Sequence, residues 1–248
     1  MRIRQDRAFW YVLGGLALLY VVSIVIQGGV DGLGRGLAQF AVTIAGLILA
    51  VTVHEAAHAW SANYLGDPTA RLAGRVTLNP LAHLDPLGSL MMVITALTGV
   101  GIGWGKPTPV RPWRLRYGAR LGNGIVALAG PVSNILLATV LGLVLRVADP
   151  RSAWLFLVLS SIVLTNLFIA MLNLLPVYPL DGHSVLLGLL SLSKSRLAWN
   201  VSQFFVRLEG SGPLLLVGLI ILTQFLRFPL LSWAVGVPAL SLYRLIVG

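Results

Sequence analysis

The stretch Ile48–Gly66, ILAVTVHEAAHAWSANYLG, decides how this chain is read. It opens as a run fit for lipid and then sets His54, Glu55 and His58 into the same helix. Residues four apart lie one turn apart on one helical face. Both imidazoles therefore reach one zinc ion, and Glu55 beside the first stands where a general base toward an activated water is needed. Catalytic zinc takes three protein ligands and keeps a fourth position for water, so a third ligand must come from elsewhere. A charged group in a spanning helix costs about 2.5–3.5 kcal/mol on insertion scales. A helix that only packs gains nothing from Glu55.

The surrounding composition agrees with a membrane setting. Of 248 residues, 57% are hydrophobic and 10% charged, against roughly 25% charged in soluble domains. There is no cysteine, which excludes disulfides and thiolate metal sites. The formal charge is +10, yet the basic residues sit between apolar runs. That pattern fits an anionic lipid surface and the positive-inside rule rather than nucleic acid. The first run, after Arg2, Arg4 and Arg7, is too long for a signal-peptide core and no A-x-A-like site follows it. It is expected to be a retained span.

A crossing helix needs roughly 20 mostly apolar residues. That rule predicts spans near 9–27, 37–60, 121–145, 153–175, 213–227 and 230–247. The expected fold is an all-α polytopic membrane protein of about six transmembrane helices, plus a re-entrant segment and short β-like loops near the active site. The loops are RVTLN (75–79) and GKPTPVR (105–111). The chain reads as one domain, 1–248, with its core at about 37–193.

The second intramembrane acid lies in AMLNLLPVYPLDGHSVLLGLL (170–190). Pro176 and Pro179 break the helix, because proline lacks the backbone donor and clashes with the preceding turn. Irregular backbone at membrane depth is tolerated only inside protein or beside a watery cavity. An acid at such a break is a site candidate, and Asp181 is the expected third ligand. Asn173, eight residues earlier, has two readings: a donor to the oxyanion of a peptide under attack, or a tie for carbonyls freed by the break.

These residues together resemble the site-2 protease family of intramembrane zinc metalloproteases. The family pairs H-E-x-x-H with a distant N-x-x-P-x-P-x-L-D-G-like segment. Here they read HEAAH (54–58) and NLLPVYPLDG (173–182), with ALAGPVSN (127–134) resembling the family's A-G-P-x-x-N span between them. GRVTLNPLAHLDPLG (74–88) and GWGKPTPV (103–110) resemble a compact prokaryotic branch. The resemblance runs from about residue 40 to 190. It implies that His54, His58 and Asp181 bind one zinc ion, that Glu55 is the catalytic base, and that the substrates are transmembrane proteins of the cell membrane. Tyr178, where members often have proline, and the DGHSVL sequence depart from the pattern without removing a ligand. Family members often carry PDZ or CBS domains, for which this chain leaves no room.

A shared site makes a demand on topology. With the N-terminus cytoplasmic, spans 9–27 and 37–60 go out and back, 121–145 and 153–175 do the same, and Asp181 meets the histidines only if 86–103 does not cross. That segment is expected to be re-entrant, or a hairpin with both ends cytoplasmic. Lys106, Arg111, Arg114, Arg116 and Arg120 then stay inside with the active site.

Among other polar residues, His83 reads as a loop residue near the membrane surface and His183 as at most a hydrogen-bond partner of a ligand. Asn134 reads as interhelical packing or a site contact. Gly122, Gly124 and Gly130 read as close helix contacts, and Trp60, Trp104 and Trp113 as interface markers. Residues 195–210 read as an interfacial amphipathic helix. A metal transporter and an inactive scaffold are the rival functions. The first needs relay ligands that the outer halves of the spans lack, and the second has no use for Glu55.

Overall fold

The computed structural model describes residues 2–98, 103–148, 152–212 and 230–248 together with 214 and 218, and side chains of the first helix essentially from residue 34. The helices are α1 (Arg2–Tyr64), α2 (Thr69–Leu72), α3 (Pro86–Thr98), α4 (Ala119–Ala148), α5 (Ala153–Asn173), α6 (Asp181–Leu190), α7 (Arg196–Leu208) and α8 (Val237–Val247), the last preceded by a π-helical turn, Ser232–Gly236. No strand occurs among the described residues. The expected β-like loops contribute one isolated antiparallel bridge, between Leu84 and Gly105.

Among the described residues, three segments are long and apolar enough to cross a membrane: Gly34–Tyr64, Ala119–Ala148 and Ala153–Asn173. Only 28%, 33% and 28% of their most apolar windows are buried within the protein. Apolar residues such as Leu136, Val140 and Val147 face outward instead, as in helices that are hydrophobic all round and meet lipid. The expected span 213–227 lies almost wholly outside the described residues. Ser232–Val247 forms a shorter apolar helix.

The predicted turn between the first two spans does not form. Residues 2–64 make one helix of 63 residues, about 95 Å at 1.5 Å per residue, against a hydrocarbon thickness of about 30 Å. Gly28, Gly29, Gly32, Gly34 and Gly36 occupy the expected turn. Glycine weakens a helix by about 1 kcal/mol but keeps its N–H. With no proline there, nothing removes a ladder bond. Residues 2 and 64 therefore end one rod at opposite ends. The out-and-back count from residue 1, which set both the N-terminus and the active site on one side, does not carry over to a single crossing of α1.

Helix α3 has 13 described residues, about 20 Å. The ends of its segment return to each other: besides the Leu84–Gly105 bridge, Lys106 N donates to His83 O at 2.6 Å. Gly88 and Gly103 permit this, since a Cβ on Gly88 would lie 2.0 Å from Trp104 O and one on Gly103 2.1 Å from Met92 Cγ.

Helices α1, α4 and α5 form the central layer. Ala138, Leu145, Val163, Leu167 and Ala239 fasten α4, α5 and α8, while Leu47, Val51 and Met92 fasten α1 and α3. Helix α6 lies against α4 where Gly124 and Gly188 face each other, a Cβ on either coming to 3.0 Å from the other's Cα. That backbone-to-backbone seam brings the start of α6 to the histidine face of α1.

Candidate metal centre

Three elements deliver the centre. His54 and His58 project from one face of α1, with ring centroids 4.6 Å apart and planes at 88°. Helix α5 ends at Asn173, the two prolines break the chain, and α6 restarts with Asp181 in its first turn. The exposed N–H groups of a helix start favour a carboxylate there. Gly182 allows the tight return, because a Cβ on it would lie 2.2 Å from Leu174 O.

Asp181 Oδ2 lies 2.9 Å from His54 Nε2 and 3.3 Å from His58 Nε2. The other ring nitrogens are committed: His54 Nδ1 is 2.7 Å from Asn134 Oδ1, and His58 Nδ1 is 2.8 Å from Val126 O. Both partners are acceptors, so each Nδ1 carries a proton, and each imidazole in its neutral form presents the Nε2 lone pair. Two lone pairs and a carboxylate oxygen thus converge, with ligand atoms all within 4.8 Å of one another. Three converging acceptors of this kind suit a bound cation. The nitrogen–oxygen set suits zinc, and the Nδ1 bonds are the supporting contacts zinc-binding histidines require.

Gly130 makes room for the rings. A Cβ there would lie 2.5 Å from His58 Cε1 and Nε2 and 2.7 Å from His54 Cε1. The expected close helix contact is therefore a contact with the two imidazoles.

Glu55 is held by a loop. Its Oε2 accepts from Thr108 N at 3.0 Å and from Thr108 Oγ1 at 2.7 Å. Both donors sit on one oxygen, which leaves Oε1 for other partners. Thr108 was not singled out in the sequence, and its place between Pro107 and Pro109 offers no signal. The loop is pinned behind it by Asp67, which is fully buried and accepts from Arg111 N at 2.6 Å, Thr69 Oγ1 at 2.5 Å and Thr69 N at 3.1 Å. Burial opposes ionisation of Asp67, but these bonds outweigh it and hold its carboxyl below the usual range. Hydropathy does not flag this acid, since it lies past the end of the apolar run.

Asn173 lines the same cavity as the ligands and Glu55, a space of about 770 Å³ walled by Val51, Met91, Trp104, Pro107, Ile169 and Leu172 among others. Asn173 Nδ2 donates to Ile169 O at 3.0 Å. A carboxamide has a second N–H, so this tie leaves one donor over.

Two histidines differ from expectation. His83 is fully buried, with Nε2 2.8 Å from Thr77 O, and it anchors the loop through its carbonyl. It is a loop residue, but an interior one. His183 bonds no ligand: its Nε2 lies 3.3 Å from Phe205 O and 3.7 Å from Glu209 Oε1, joining α6 to α7. Asn134 makes the site contact that was one of its two readings. Trp60, Trp104 and Trp113 are exposed. Helix α7 is capped by Ser195 Oγ, which accepts from Ala198 N at 3.1 Å, and it exposes Leu197 and Phe204.

No family model matches the chain, and no solved structure does. Curated relatives do. The chain is 32% identical over 214 residues to "Putative zinc metalloprotease Rip2" of Mycolicibacterium smegmatis, covering 84% of this chain and 78% of that one. It is 39% identical over 149 residues to "Putative zinc metalloprotease YwhC" of Bacillus subtilis, covering 56% and 65%. A Mycobacterium tuberculosis protein also named "Putative zinc metalloprotease Rip2" is 34% identical over 150 residues, covering 59% and 56%. The match thus spans less than two thirds of the length of the last two relatives.

Proposed function

This chain belongs to the site-2 protease family of zinc metalloproteases, and from that membership we propose that it hydrolyses peptide bonds in or beside transmembrane segments of other membrane proteins. One observation carries the reading: the two imidazole Nε2 atoms and Asp181 Oδ2 converge on a cavity that also holds the carboxylate of Glu55. Zinc bound there supplies a Lewis acid that polarises the scissile carbonyl and acidifies water.

The chain's own groups do the rest. Glu55, oriented through Oε2 by Thr108, takes the proton of the attacking water on Oε1 and returns it to the leaving amine. The spare N–H of Asn173 meets the oxyanion. The apolar walls accept side chains of an unwound substrate and keep bulk water away. Residues 105–111 pass beside Glu55, which Thr108 bonds, and guide that strand. Their donors are largely spent, since Lys106, Thr108 and Arg111 N–H groups bond His83, Glu55 and Asp67, and Pro107 and Pro109 have none. Carbonyls of this segment therefore contribute most to pairing by edge addition.

We read residues 86–103 as re-entrant, supported by the shortness of α3 and by the closure of its ends. We place the metal end at the cytoplasmic face of the cell membrane. The support is the basic set Arg71, Arg75, Lys106, Arg111, Arg114, Arg116 and Arg120, carried between the end of α1 and the first turn of α4. A metal transporter requires further ligands along a path, and the single such cluster among the described residues is this one.

The test is Glu55→Gln in the purified, membrane-reconstituted chain with a labelled transmembrane substrate. Zinc content is expected to persist while fragments disappear. A Glu55→Gln chain that cleaves like wild type refutes the assignment, and a zinc-loaded wild-type chain that produces no fragments from any membrane substrate favours transport or scaffolding.

A further inference from the structure

Behind His54 the seam of α1, α4 and α5 holds two carboxamides, Asn134 and Asn166, each with 0% exposure. Their hydrogen bonds can run in one direction only. The carbonyls of Ile162 and Ala50 can only accept. Asn166 Nδ2 donates to Ile162 O at 2.9 Å, which turns Asn166 Oδ1 toward α4 as an acceptor. Asn134 Nδ2 donates to that oxygen at 2.8 Å and to Ala50 O at 3.0 Å. Both N–H groups of Asn134 are then used, and its Oδ1 is left facing His54 Nδ1 at 2.7 Å. The imidazole must carry its proton on Nδ1, and its Nε2 lone pair faces Asp181. A flipped Asn134 would set its oxygen against two other acceptors and aim an N–H at His54 Nδ1. The imidazole proton would move to Nε2 and close the metal position.

We propose that Asn166 is a positioning residue for the metal centre, setting through Asn134 the tautomer and ring orientation of His54. Asn166 touches neither metal nor substrate. It acts by making one of the two amide orientations of Asn134 impossible. A merely adhesive pair of asparagines between helices would work in either orientation and would leave the metal unaffected. The inference rests on the metal site of the proposed protease, not on its cleavage of any substrate.

The experiment compares zinc affinity of the full chain in detergent micelles, by competition with a chromogenic chelator, for wild type, Asn166→Leu and Asn166→Asp. Leucine keeps the volume and removes the amide. A neutral aspartic acid keeps the acceptor for Asn134 and offers an O–H to Ile162. Asn166→Leu is expected to bind zinc about 10–100-fold more weakly, the usual loss for such supporting contacts, while Asn166→Asp stays close to wild type. Wild-type affinity in Asn166→Leu overturns the inference, and so does equal weakening in both variants, which marks general damage to the seam. Should the leucine variant not fold, nitrogen-15 histidine NMR of the zinc-loaded wild type decides alone. Zinc on Nε2 of His54 with a protonated Nδ1 is the expected state, and zinc on Nδ1 overturns the relay. Neither readout involves proteolysis, so this inference and the protease assignment fail separately.

Discussion

Substituting Gly130 by alanine tests the geometry of the centre with a single methyl group. The added Cβ would lie 2.5 Å from His58 Cε1 and Nε2 and 2.7 Å from His54 Cε1. Unstrained carbon contacts need about 3.5–4.0 Å, so the rings or α4 must give by about an ångström. The rings cannot yield freely, because each Nδ1 is pinned to α4, one at Asn134 and one at Val126. The backbone alternative is to push α4 from α1, an overpacking strain of about 1–3 kcal/mol. Either way Nε2 of His58 leaves its convergence with Asp181, and a displacement of about 1 Å at a reacting centre costs about 100-fold in rate. The assay is zinc titration together with cleavage of a labelled transmembrane substrate, with Gly210→Ala as control because a Cβ there meets nothing within 4 Å. Weaker zinc binding and about a 100-fold slower cleavage are expected for Gly130→Ala alone. Wild-type zinc affinity and rate in that variant refute the placement of the histidines against α4.

Three further outcomes follow from the same contacts. Thr108→Val removes the hydroxyl from Glu55 but keeps the backbone N–H; a lost bond to a charged group is worth about 1.5–3 kcal/mol, so kcat should fall at least about 10-fold with zinc content unchanged, and Thr108→Ser should restore it. Asn173→Ala should lower kcat by about 100-fold, in the range seen for removal of one oxyanion donor, with little change in KM; a loss of a few-fold only leaves Asn173 as a tie for Ile169 O. Asp67 is ionised below its ordinary range, so its bonds to the loop are present above its unfolded value of 3.8 and are lost as pH falls through the lower folded value. Hydrogen exchange at Arg111 should therefore stay slow at neutral pH and quicken only in strong acid, whereas Asp67→Ala should make it fast at every pH.

The partners of Glu55 and His54 were hard to read in sequence for a definite reason. Thr108 stands 53 residues from Glu55, Asn134 stands 80 from His54, and Asn166 stands 32 beyond Asn134. Nothing in the local pattern of Thr108 or Asn166 marks a partner, and for Asn134 a site contact was only one of two readings. Asn166 sits in an apolar helix where a single amide reads as packing. The error at residues 28–36 has the opposite origin. The span-length rule put a boundary there, but the glycines at that place only weaken a helix and do not end it. Proline, which removes a donor, broke the chain where expected at 176 and 179.

The sequence by itself determined the membrane setting, the pairing of His54 with His58 on one helical face, the break before Asp181 and the kinship to zinc proteases. Each of these rests on local chemistry: hydropathy, the period of the helix, the missing N–H of proline, and motif spacing. Only the tertiary structure decided that Gly130 clears space for the rings, that Thr108 bonds the Glu55 carboxylate, and that two buried amides line up behind His54 with the oxygen of Asn134 facing its Nδ1. Those depend on hydrogen-bond polarity and clearance between segments far apart in the chain, which fall into place only when α1, α4, α5 and α6 pack together.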